Sequence, residues 1–193
     1  WIFPDLYCVD MGNDLLRRIA SLLPDSWESI LLVLLISGAP VFAAEPLEIA
    51  AFEVDASPPI GSPMAYDPTR EITVPLSCRG AVLTGAGQPI VIATIDWLGI
   101  ANEAHLEFRR ELAQAAGTSV DRVAVHSLHQ HDAPRCDFSA DALLRRYAAQ
   151  VRAYDTDFAR DVMNRAAQAL RLSLDRARPV TRIGLGSAEV RKV

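Results

Sequence analysis

PIVIATIDWLGI, residues 89–100, is the stretch whose reading decides the fold. Its near-continuous run of Ile and Val is the pattern of a strand buried on both faces, and the run breaks at Asp96. The next segment, ANEAHLEFRRELAQAAG (101–117), reads as a helix. Asn102 is the expected N-cap, Glu103 sits in the first turn and Gly117 is the stop. Leu106, Leu112, Ala113 and Ala116 supply an apolar stripe, with Arg109 and Arg110 as a basic shoulder. DRVAVHSLHQH (121–131) is then a second strand. Strand, helix and strand over about residues 90–131 form a βαβ unit, which implies a parallel pair joined by a right-handed crossover. The expected fold class is α/β, a mixed or largely parallel sheet with flanking helices.

Working outward, LEIAAFEVDAS (47–57) is an upstream strand, and SPPIGSPMAYDP (57–68) is too rich in Pro and Gly to be helix or inner strand. LSCRGAVLT (76–84) is another strand, and GAGQ (85–88) is a tight turn whose glycines supply positive φ. Downstream, SADALLRRYAAQVRAY (139–154) reads as a helix capped by Ser139. The following segment, 155–179, is a longer helix with Phe158, Val162, Ala166, Ala169 and Leu170 at helical spacing and Pro179 past its end. VTRIGLGSAEVRKV (180–193) has strand character.

A length of 193 residues suits one domain with an appendage. The 50% apolar content is enough for a core, and a net charge of −5 gives no basic face for nucleic acid. Met11 is the first methionine, so residues 1–10 are expected to precede the native start. From there Arg17 and Arg18 form a positive n-region, Ile30–Ile36 an apolar run, and Val41 and Ala43 the small residues before a cleavage point. Residues 11–43 are read as a signal peptide, which implies a secreted or periplasmic protein. The alternatives are an uncleaved anchor and a buried helix, although an apolar run of roughly 15 residues falls short of the ~20 needed to span a bilayer. Cys78 and Cys136 would then be the cysteines of the exported part. Their pairing is open, because spacing alone does not decide it.

HSLHQHDAP (126–134) holds three of the chain's four histidines, at the carboxyl end of the second βαβ strand. Open α/β sheets bind ligands at that edge. His129 and His131 form an H-x-H pair whose side chains share one face if the segment is extended. Zinc accepts neutral imidazole, and catalytic sites commonly use three protein ligands, so two histidines are part of a site. His126 would point to the opposite face, as strand core or a supporting group. The H-x-H-x-D-H pattern of metallo-β-lactamase-like hydrolases is excluded, because Ala133 and Pro134 stand where Asp and His would be needed. Asp96, ending the neighbouring strand, is the candidate catalytic residue, a site carboxylate that orients a histidine or touches the metal. The competing reading is a turn carboxylate satisfied by backbone N–H groups. His105 reads as solvated surface, and no G-x-S-x-G nucleophile elbow is present.

Taken together, AAFEVDASPPIGSPMAY, LSCRGAVL, IVIATIDWLGI and SLHQHDAP resemble, in order and spacing, the amino-terminal part of the neutral/alkaline, non-lysosomal ceramidase-like family. The resemblance spans about residues 47–193, so that 44–193 is expected to be the amino-terminal part of such a hydrolase domain. SLHQHDAP stands where the family has T-H-T-H-S-G-P, with Gln130 in place of Thr and Asp132-Ala133 in place of Ser-Gly. The resemblance implies a zinc amidohydrolase that cleaves the N-acyl bond of ceramide or a related acyl amide. It implies His129 as a zinc ligand and His131 as a neighbour that coordinates or hydrogen-bonds. It also implies a further His, Glu and Tyr ligand beyond residue 193, so these residues alone are expected to be inactive. A lipid substrate is compatible with peripheral membrane contact. An exported non-catalytic domain of the same fold and a metal-dependent esterase are the rival readings.

Overall fold

The computed structural model describes residues 7–8, 45–85, 87–147, 150–189 and 191. The expected signal, 11–43, lies outside them. The chain divides into two compact units. In the unit made of Trp1–Glu45 and Val180–Val193, strand β1 (Tyr7–Cys8) pairs antiparallel with a strand at Gly184–Leu185.

The second unit, Pro46–Pro179, holds the βαβ segment. Its strands are β2 (Glu48–Asp55), β3 (Ser77–Gly85), β4 (Gly87–Ile95), β5 (Gly99–Ala101), β6 (Val123–Ser127), β7 (Arg135–Asp137) and β8 (Arg178–Pro179). The helices are α1 (Asn102–Ala116), α2 (Phe138–Arg146) and α3 (Thr156–Leu174). The main sheet has the order β6-β4-β3-β2-β8. β4 and β6 pair in parallel across α1, and the other pairs are antiparallel. The sheet is therefore mixed and the βαβ unit is present.

Register explains the core. Ala50, Val82, Val91 and Val123 form one cross-strand row, and Phe52, Gly80, Ala93 and Val125 the next. The apolar members of these rows are buried. They meet Phe108, Leu112, Val162, Met163 and Leu170 from α1 and α3. Side chains alternate between the faces of a strand, so the intervening residues form the other face: Ile49–Leu83–Ile90, then Ala51–Ala81–Ile92–Ala124, then Glu53–Arg79–Thr94–His126.

That opposite face stays open among the described residues. Ile92 keeps 50% of its surface exposed and Ile90 39%. The expectation that β4 is buried on both faces is thus corrected: both packing helices lie over the same side. His126 sits on this open face, exposed, and is not strand core.

The helix ends also differ from their sequence reading. Ala101 is the α1 N-cap, without a side-chain hydrogen bond. Asn102 is the first helical residue, with φ 50°, and its side chain donates to Asp137 at 2.7 Å. Asp137, rather than Ser139, caps α2 by accepting from the Ala140 N–H. Asp155 does the same for α3 with Phe158. Gly117 ends α1 at φ 66°, as expected for a left-handed helix stop. No described helix is long and apolar enough to cross a membrane.

Candidate functional site

β4 and β6 end side by side at Ile95 and Ser127, and both chains then leave the sheet. They re-pair beyond the interruption, Gly99 with Arg135 at the start of β5 and β7. Between these points His129 N donates to Trp97 O at 3.1 Å and Leu98 N to Pro134 O at 3.0 Å. Residues 130–133 therefore bulge from a nearly continuous parallel ladder. Trp97, fully buried, pins the neighbouring strand end through its Nε1 to Ala56 O at 3.0 Å.

Gln130 closes the bulge on itself. Its Oε1 accepts from Asp132 N at 2.8 Å, while its Nε2 donates to Asp132 O at 3.2 Å and to Asp96 O at 2.9 Å. An amide that spans its own loop in this way does the work of a backbone turn.

The histidine pair comes together by a route the H-x-H pattern does not contain. His129 lies in no strand and has φ 60°. That left-handed conformation is uncommon for a side-chain-bearing residue, though histidine is among the types enriched there. The premise of an extended segment is therefore corrected, yet the rings still meet. His129 and His131 centroids are 5.2 Å apart at an interplanar angle of 77°. Two imidazoles on one tetrahedral zinc, with Zn–N of about 2.0–2.1 Å, have centroids roughly 5 Å apart. His129 Nδ1 lies 2.9 Å from Leu98 O. A carbonyl only accepts, so Nδ1 carries the proton and Nε2 keeps its lone pair. The ring separation equals that of two imidazoles sharing one zinc. Among the described residues no group of three or more His, Cys, Asp or Glu is placed to hold a metal.

Asp96 stands at the carboxyl edge, but its carboxylate turns to β3. Oδ2 accepts from Ser77 N at 2.7 Å and from Ser77 Oγ at 2.8 Å, while Asp96 N donates back to Ser77 O at 3.0 Å. Its link to the histidine loop is its backbone carbonyl, which Gln130 holds. Beside these groups a cleft of about 680 Å³ runs along the 57–76 loop, with Asp96, Leu128, Gln130 and Asp132 in its wall together with Met64 and Val74. The alternate residues His129 and His131 are not in that wall.

Sequence reasoning assigned no role to Tyr66. Its hydroxyl lies 2.7 Å from His131 Nδ1, and the two rings meet edge-on at 5.5 Å. The signal that could have found it is an aromatic residue between Pro63 and Pro68, where no core can form. His105, expected to be solvated, is half-buried, with Nε2 3.3 Å from Val125 O. Cys78 and Cys136 are unpaired and buried. Burial, helped by the charge of Asp96, pushes the Cys78 thiol up to about 12, and burial likewise pushes Cys136 up to about 12. Burial thus favours the protonated thiol in both, and the thiolate is the reactive form.

No family model matches the chain, and no curated protein sequence does. Solved structures do. The neutral ceramidase from Pseudomonas aeruginosa matches with a TM-score of 0.54 at 15% identity, over 70% of this chain and 22% of that one. A ceramidase complexed with C2 matches to the same extent. The fold is ceramidase-like. The chain spans about 22% of the length of these structures.

Proposed function

We propose that this chain belongs to a zinc-dependent hydrolase of C–N amide bonds, acting on an N-acyl sphingosine or a related acyl amide. The observation that carries the reading is the convergence of His129 and His131 at the carboxyl edge of a βαβ unit, within a ceramidase-like fold. The residue-level resemblance of SLHQHDAP to the family's T-H-T-H-S-G-P segment agrees with it.

In this reading His129 holds the ion through Nε2, its ring fixed by Leu98 O. Such carbonyl partners orient ligating histidines and set their tautomer. Zinc, when bound, polarises the acyl carbonyl and lowers the pKa of its water toward about 7. His131, whose ring centroid lies 5.2 Å from that of His129, supports the same centre. Asp96 acts indirectly: it ties the end of β4 to Ser77, and its carbonyl anchors the loop that carries both imidazoles. The apolar wall of the adjacent cleft, with Met64, Val74 and Leu128, suits an acyl chain. The reading requires further zinc ligands besides these two histidines. It also places the protein in the periplasm or outside the cell, on the strength of residues 11–43.

The test uses the full gene product and its His129→Ala variant, assayed for bound zinc and for fatty-acid release from N-acyl sphingosine. The expected outcome is loss of both in the variant. A variant that holds zinc as tightly as wild type refutes the proposal. Turnover of acyl esters without acyl amides would make the protein the esterase instead.

A further inference from the structure

We propose that Tyr66 is a positioning residue of this site, holding His131 by Nδ1 so that Nε2 is the nitrogen presented beside His129. The consequence for metal binding rests on the zinc reading above; the geometry does not.

The two histidines are held by different kinds of partner. His129 Nδ1 is fixed by Leu98 O at 2.9 Å. His131 is exposed and takes its side-chain hydrogen bond from Tyr66 Oη at 2.7 Å. A phenol donates or accepts with equal facility, so Nδ1 is occupied in either tautomer. Both Nδ1 atoms are thus engaged, which leaves Nε2 as the remaining nitrogen of each ring.

Tyr66 is delivered to this place by a braced hairpin. Pro63 and Pro68 bridge, Met64 N donates to Asp67 O at 3.2 Å, and Thr69 N donates to Ser62 O at 2.8 Å. Its base is pinned by Ser62 Oγ to Asp155 at 2.5 Å. Ala65 N donates to Ala133 O at 3.0 Å, so the hairpin grips the histidine loop by backbone next to where the hydroxyl grips it by side chain. Tyr66 itself is 78% exposed. A ring so little buried contributes little to a core, and its side-chain partner is His131.

The test is ring-nitrogen NMR of the metal-free chain under mildly alkaline conditions. A titration with zinc alone follows, in wild type, Tyr66→Phe and His131→Ala. Tyr66→Phe keeps the ring and the Ala65–Ala133 tie and removes only the hydroxyl. The expected result is displaced His131 nitrogen resonances with those of His129 unmoved, and zinc affinity lowered by about 10-fold, the low end for loss of a group that orients a ligand. Unchanged His131 nitrogens in metal-free Tyr66→Phe overturn the proposal whatever zinc does. So does a Tyr66→Phe zinc affinity equal to wild type where His131→Ala weakens it. If the nitrogens move as expected but zinc perturbs neither histidine in wild type, the positioning role stands and the metal reading of the site falls.

Discussion

Replacing Asp96 with alanine removes one acceptor oxygen that two donors share. Ser77 N and Ser77 Oγ both reach Oδ2, at 2.7 and 2.8 Å, and Ser77 keeps only 6% of its surface exposed. A hydrogen bond to a charged group contributes about 1.5–3 kcal/mol, and a buried donor left unpaired costs about as much. The two bonds do not add fully, because they share an oxygen on a half-exposed carboxylate that water can partly replace. The expected loss for Asp96→Ala is therefore about 2–4 kcal/mol. For a chain of this size that lowers Tm by roughly 5–15 °C. Asp96→Asn keeps an acceptor and loses the charge, so about 1 kcal/mol is expected. Urea and thermal unfolding followed by circular dichroism measure both variants, and zinc titration measures the site. Affinity for zinc should stay near wild type in Asp96→Asn, because the carboxylate faces Ser77 and not the imidazoles. A variant with wild-type stability and abolished zinc binding would refute this reasoning and make Asp96 a direct ligand.

Gly80 faces Phe52 across the β2–β3 pair, and a Cβ there would collide with the Phe52 ring and approach Ile92 O to 2.9 Å. Gly80→Ala is expected to destabilise by about 1–3 kcal/mol through overpacking, read as a lower urea midpoint, and an unchanged midpoint would show that the ring moves freely aside. The thiols of Cys78 and Cys136 titrate near about 12 when folded against an ordinary 9.0. Below pH 9 both states keep the protons; between 9 and 12 only the folded state does, so stability from these groups falls as pH rises. Urea midpoints measured from about pH 8 to about 11 should decline less steeply in the Cys78→Ala/Cys136→Ala double variant than in wild type; parallel slopes would contradict the assignment.

The sequence by itself determined the order of the main strands and helices, the βαβ unit and the place of the histidine cluster at its carboxyl edge, but not the short β5–β7 pair. Those features are local: a strand is read from alternation, a helix from its period, and the end of PIVIATIDWLGI from one aspartate in an apolar run. Cap positions slipped by one residue at Ala101 and by two at Asp137, because residue type alone does not fix where a helix begins: Ala101 caps with no side-chain bond, and the Asn102 amide is drawn to Asp137 instead. Tertiary structure alone decided the rest. The run of Ile and Val promised burial on both faces, but an apolar face is covered only where another element reaches it, and α1 and α3 pack on the same side. Asp96 could have turned toward a histidine, and instead Ser77, delivered by β3, offered it two donors. The imidazoles share a site through the left-handed turn at His129 and not through strand alternation. Tyr66 arrives from a distant loop, through a hairpin braced on Asp155. A hydrogen bond between residues far apart in the chain leaves no periodic trace in the sequence, since it depends on where folding brings two backbones together and not on the spacing of residue types along either one.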